Sequence, residues 1–385
     1  MDDGLTIPGP EARTVRQVLG EALVRLARDL VGLQPAFALS EPRRRELDRV
    51  RRIVLERWKR EPGAVLSLLR WPTIGAPLRV MRDGGGDERL LGQWLATIGI
   101  EMAAAGLLDG DFVVTAPPAR VVRASRCDGV EPGAGVDELA IRLDGSVLAD
   151  GRLVQPIPMA VAVDESLQLA LVDDNPLAMV EAHPDKSGNA LDLGGRDVDG
   201  WLDALRHARR LLRDHAPGLA RAAELLLRRV VPVGWDDRQH LSASYREAIG
   251  LAYLSLHPSP LTMLEALVHE AQHNVLNALF EVDDVLLDGW EPRHRSPVRP
   301  DLRPLGGVLL AVHAFVAVAH VLQRMREADH PLARGPHFER RLREVVRLNR
   351  EGIATLRAHA HPTARGAALL AELEAWDARC GADDA

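Results

Sequence analysis

From Leu261 to Phe280 the chain runs without a glycine or a proline, so nothing in its sequence interrupts a single long helix. Leu264, Leu267, Val268, Ala271, Val275 and Ala278 recur at the spacing of a core-facing helix. Inside this apolar stretch sits His269-Glu270-Ala271-Gln272-His273, an HExxH motif. Residues four apart on a helix project from nearly the same side, so both imidazoles can grip one metal ion. A buried His-Glu-His set is costly unless its polar groups are paired, and a metal supplies that pairing. The fold must therefore bury this helix on most sides and leave one side open for chemistry.

The rest of the chain can do that. With 385 residues, 46% of them hydrophobic and 27% charged, it is long enough and apolar enough to build a full core. The net charge of −7 gives no chain-wide basic footprint for nucleic acid. Cys127 and Cys380 are too far apart in sequence to suggest a disulfide framework or a CxxC metal knuckle. The opening residues MDDGLTIPGPEA lack the basic-then-apolar pattern of a signal peptide. The longest apolar run, Gly306 to Leu322, carries His313 and His320 and falls short of the ~20 residues of a membrane span. The expectation is a cytoplasmic protein with no membrane or nucleic-acid partner; oligomeric state is not readable.

The pattern predicts an α+β protein, helix-rich with a small antiparallel sheet, in three regions. Residues 1–110 read as an N-terminal helical region, with helices over Thr14–Leu33, Glu46–Trp58 and Leu90–Leu107. Residues 111–235 read as mixed. Short β-rich runs at Phe112–Val122, Leu139–Leu143, Val147–Val154 and Leu167–Val172 are punctuated by Asp144-Gly145 and Asp150-Gly151. A helical stretch follows over Val198–Arg229, broken near Pro217-Gly218. Residues 236–385 read as a mainly helical metal-site region after strands at Val230–Val233 and Leu241–Leu256. Its helices are expected over Leu261–Phe280, Leu305–Arg326, Phe338–His359 and Ala364–Ala378.

Two histidines alone make a weak metal site. A metzincin continuation needs glycine at position 276 and histidine at 279, where this chain has Leu276 and Leu279. Glu291 and Glu327 are poorly placed for the glutamate of a gluzincin. His313 is the better third ligand, because the helix from Leu305 is almost wholly apolar and an imidazole inside it needs a partner. The metal site is then expected between two adjacent buried helices of the C-terminal half. Such a site suits Zn(II) hydrolysis with Glu270 as general base. It equally suits non-haem Fe(II), which needs open positions for a co-substrate and O₂. Spacing alone leaves both open.

The run LVHEAQHNVLNALFEVDDVLLDG, the later SPVRPDLRPLGGVLLAVHAFVAVAH and the upstream DDNPLAMVEAHPDKSGNALDLG together resemble the HExxH-motif putative peptide-modification proteins. The likeness covers about Asp173 to Leu322 well and Met1 to Asp150 loosely. It implies an α-ketoglutarate (2-oxoglutarate)- and Fe(II)-dependent dioxygenase that uses O₂ to β-hydroxylate a side chain in a ribosomally made precursor peptide. It also implies His269, His273 and His313 as the iron ligands, with Glu270 handling a proton rather than driving hydrolysis. A zinc metallopeptidase, or a non-catalytic partner in a peptide pathway, is the alternative.

An α-ketoglutarate enzyme needs a fixed cation for the distal carboxylate, and a bidentate arginine is the fitting choice. Arg299 and Arg303, in the loop leading to the His313 helix, are the candidates. Ser242 and Ser244 share one face of a predicted strand, and Ser244 is placed to hydrogen-bond a co-substrate. Asn277, one turn after His273, is placed to orient a ligand. His183-Pro184-Asp185 imitates the His-x-Asp of another oxygenase class. It sits in HPDKSGN, which reads as a loop near the site with Lys186 reaching towards substrate.

Overall fold

The structure is a computed structural model that describes residues 3–173, 175, 191–289, 291, 293–295 and 301–382. Five helices come first: α1 (Arg13–Gly32), α2 (Glu41–Arg60), α3 (Pro62–Leu69), α4 (Pro72–Arg82) and α5 (Glu88–Ala104). The short α3 and α4 escape the sequence pattern because prolines open both and Pro77 lies inside α4. Nine short strands follow: β1 (Phe112–Thr115), β2 (Val121–Val122), β3 (Asp128–Val130), β4 (Glu138–Ile141), β5 (Val147–Ala149), β6 (Arg152–Leu153), β7 (Pro156–Pro158), β8 (Ala160–Ala162) and β9 (Gln168–Ala170). Asp150 and Gly151, both at positive φ, turn β5 into β6.

Two helices, α6 (Val198–His215) and α7 (Pro217–Leu226), divide at Pro217 as expected. Then come β10 (Arg229–Trp235), β11 (Ser242–Ala243), β12 (Leu251–Leu256) and α8 (Pro260–Phe280). A small hairpin, β13 (His294–Arg295) with β14 (Leu302–Arg303), precedes α9 (Leu305–Glu327), α10 (Pro336–His359) and α11 (Ala364–Ala382).

The expected α+β class holds, and the sheets formed by β1-β4-β5-β6, β2-β3-β7 and β13-β14 are small and antiparallel. The largest sheet differs. Its order is β11-β12-β10-β9-β8, with β9, β10 and β12 parallel and only the two edge strands antiparallel. The reason lies in burial: all six residues of β12 and the first four of β10 are buried, as parallel strands covered on both faces require. The predicted strand over Leu241–Leu256 is really two, β11 and β12, separated by a turn at Gly250 with φ +102°.

One connected set of buried apolar side chains runs from Leu5 to Cys380, and α8 lies within it, packed against α1, α6, α7 and α9. On β12, Ala252, Leu254 and Leu256 join that core. Leu251 and Tyr253 point the other way into a smaller cluster with Val231 and Tyr245. The α9 helix is long and apolar enough to cross a membrane by length and composition, yet 78% of its apolar window is buried inside the protein.

Candidate metal centre

The motif helix starts cleanly. The Ser259 hydroxyl oxygen accepts from the Thr262 N–H, and Pro260 occupies the first turn, where its missing N–H costs nothing. At the other end, Glu281 follows a helix C-terminus, where a negative charge is disfavoured. Two arginines of α4 compensate. Arg79 Nε lies 3.3 Å and Arg82 Nη1 2.8 Å from Glu281 Oε2, with Glu281 and Arg79 both almost fully buried. The burial-driven rise expected of the Glu281 carboxyl is outweighed by these guanidinium groups, so its pKa falls.

Along α8, one ligand atom each from His269, Glu270 and His273 falls within 4.8 Å of the others. Glu270 is 1% exposed, whereas both imidazoles are partly exposed, so the cluster opens to the surface on the histidine side. Burial pushes the His269 imidazole well below the usual range, reinforced by the nearby His273, His240 and Arg341. His273 is lowered by burial, against the opposing pull of Glu270. Both rings are therefore neutral, the form that binds a metal. Nδ1 of each ring is buried without a hydrogen-bond partner, and the two imidazoles meet edge-on with centroids 4.3 Å apart. Neutral imidazoles with unsatisfied nitrogens, beside a carboxylate, form a donor set that fits a divalent zinc or iron ion.

Glu270 is fixed by a chain of hydrogen bonds whose direction is determined. Gly250 N–H donates to Asn274 Oδ1 at 2.6 Å, so the amide nitrogen faces the other way. Asn274 Nδ2 then donates to Ser244 Oγ at 3.2 Å, to the Leu251 carbonyl at 3.3 Å and to the Glu270 carbonyl at 2.8 Å. An amide nitrogen cannot accept, and of the two acceptors left to the Ser244 hydroxyl the Leu251 carbonyl is distant at 3.4 Å, so its proton goes to Glu270 Oε2 at 2.6 Å. One carboxylate oxygen is thus held by the Ser244 hydroxyl.

The predicted site residues divide. His269, Glu270 and His273 come together, but they do so on a single helix, correcting the expectation of a centre between two helices. His313 lies on α9, 0% exposed, and is not part of the 4.8 Å cluster. Its ring sits near His273, with the backbone of Leu5 and Gln272 facing its nitrogens and favouring the protonated form. Burial first, and then His273, push its pKa down to about 3. Ser244 serves Glu270 rather than standing free on a strand face. Asn277 is buried one turn beyond His273, and the residue that bonds Ser244 is Asn274, which the sequence reading did not single out. Arg303, on β14, pairs with Asp301 at 2.8 Å. Arg299 and the HPDKSGN segment lie outside the described residues.

Three neighbours of the cluster escaped the sequence reading. His240, just before β11, is close enough to depress His269 electrostatically. The Phe315 ring of α9 lies 4.7 Å from the His269 ring, and Arg341 of α10 stands 5.9 Å over Phe315. Arg341 is itself held by Glu265 of α8 at 2.7 Å. A histidine isolated in a loop and an aromatic in an apolar helix carry no local signal of this kind.

Compared with known families and with curated proteins, the chain matches no family model and no curated protein.

Proposed function

We propose that this chain is a metal-dependent enzyme acting on a peptide, and that hydrolysis with Glu270 as general base is the reaction its geometry supports best. The observation that carries this is the oriented carboxylate: Ser244 fixes Glu270 Oε2 at 2.6 Å, within the same cluster as the His269 and His273 ligand atoms. A divalent ion held by those two imidazoles would supply Lewis-acid polarisation of a carbonyl. Glu270 then has its other oxygen for taking a proton from water and returning it to the leaving amine. The buried position of Glu270 keeps bulk solvent from competing for that oxygen.

A peptide substrate is favoured by the position of β11. Among the described residues it is the outer strand of the five-stranded sheet, and Ser244, which bonds Glu270, follows it directly, so an extended peptide aligned with this strand would lie close to Glu270. The resemblance in three ordered sequence segments favours a second reading, Fe(II)- and α-ketoglutarate-dependent hydroxylation of a precursor peptide at the same histidines.

One experiment separates them. Natively purified protein is assayed for zinc and iron by mass spectrometry and incubated with a peptide library, and the products are sized. Zinc retained together with peptide cleavage, both absent in His269→Ala and cleavage alone absent in Glu270→Gln, is the expected result. Retained iron, succinate formation from α-ketoglutarate and peptides heavier by one oxygen would replace hydrolysis with the second reading.

A further inference from the structure

Where α6 and α7 meet the turn between β8 and β9 lies a polar cavity of about 470 Å³, lined by none of the metal-centre residues. Five arginines line it (Arg70, Arg209, Arg213, Arg221 and Arg228) against three carboxylates, which leaves two positive charges in excess. That excess stands out in a chain whose net charge is −7. Its carboxylates are partly committed: Asp164 lies 2.6 Å from Arg209 Nε, and Glu224 lies 3.1 Å from Arg221 Nη1.

Two of the guanidinium groups have no carboxylate partner among the described residues. Arg70 donates to the backbone carbonyls of Glu224 and Leu225 at the end of α7. Arg228 donates from Nη1 to the Ser166 carbonyl at 3.2 Å, and its Nε is buried with no acceptor. Desolvation alone acts on Arg228, drawing its pKa down to about 10, with no opposing anion. Arg209, 4% exposed, carries a buried Nη1 with no acceptor despite its contact with Asp164. A guanidinium kept out of water without an anion is costly, and a planar fork of N–H donors matches an oxyanion.

We propose that this cavity binds a small molecule bearing a doubly charged oxyanion, held chiefly by Arg70 and Arg228. The volume is that of small-molecule sites, roughly 300–1,000 Å³, and the two excess charges match a phosphate ester or a dicarboxylate. The site is independent of the metal centre and of its proposed reaction.

The test is calorimetric titration of the full chain with inorganic phosphate and with succinate at fixed ionic strength. Saturable binding of either anion, weakened at least tenfold in Arg228→Gln and in Arg70→Gln but unchanged in Arg326→Gln on α9, is the expected result. Phosphate alone binding assigns a phosphoryl ligand, and succinate alone a dicarboxylate. Failure of both anions to bind, or equal affinity in the parent and the two cavity variants, overturns the proposal. Should Arg228→Gln not fold by circular dichroism, Arg70→Gln decides alone.

Discussion

Replacing Asn274 tests the hydrogen-bond chain that orients Glu270. Asn274→Leu keeps the branching of the side chain and removes four bonds, to Gly250 N, Ser244 Oγ, the Leu251 carbonyl and the Glu270 carbonyl. The Gly250 N–H is then buried without an acceptor, which costs about 1–3 kcal/mol. The lost amide donations add on the order of 1 kcal/mol, since the Glu270 carbonyl keeps its helical partner. The sum is a loss of about 3 kcal/mol in urea unfolding. Asn274→Asp is the sharper partner. It keeps an acceptor for Gly250 yet presents a carboxylate to Ser244, whose proton then turns away from Glu270. Turnover should fall roughly ten- to a hundredfold beyond any stability loss, the share of one charge-assisted bond. Asn274→Leu unfolding within about 0.5 kcal/mol of the parent, or Asn274→Asp retaining full turnover, would refute this reasoning.

Four further outcomes follow. Glu270→Gln should hold metal within about threefold of the parent while losing at least roughly a hundredfold in turnover, read by metal titration and peptide assay. Chelation by a picolinate ligand should remove activity, with recovery on adding back the ion that the purified protein contains. Glu281→Ala strands the almost fully buried Arg79 and should cost about 3–5 kcal/mol by chemical denaturation, with Arg79→Leu/Glu281→Leu recovering much of it. Stability should also fall on acidification. His313 and His320 have folded pKa values near 3 and 4, both from burial, whereas the unfolded chain takes up those protons near pH ~6.5. The unfolded state binds more protons throughout that window, so stability is complete above pH ~6.5 and drains as pH falls towards the folded values. His320→Gln should flatten its part of that slope in melting curves recorded from pH 7 to 4.

Much of the centre follows from periodicity alone. Four residues are close to one helical turn, so His269 and His273 must share a side, and the apolar residues between Leu261 and Phe280 oblige that helix to be buried. Helix limits, the break at Pro217 and the Asp150-Gly151 hairpin are likewise local matters, decided by capping, the missing proline N–H and positive φ. What surrounds the cluster is not local. Asn274 rather than Asn277 reaches Ser244 because of how α8 is rotated against β11 and β12, a packing relation between segments some 24–30 residues apart. The parallel core of the large sheet depends on α6 and α7 crossing back over β9 before β10 begins. His313 shares an apolar helix with its neighbours, and whether it meets the metal cluster depends on the sliding and rotation of α9 on α8, which no spacing encodes. Sequence determined that two imidazoles and a carboxylate would stand together on a buried helix, because helix geometry is fixed over one turn. Only the tertiary structure decided which side chains hold that carboxylate still, because those contacts join elements whose mutual positions depend on the packing of the whole core.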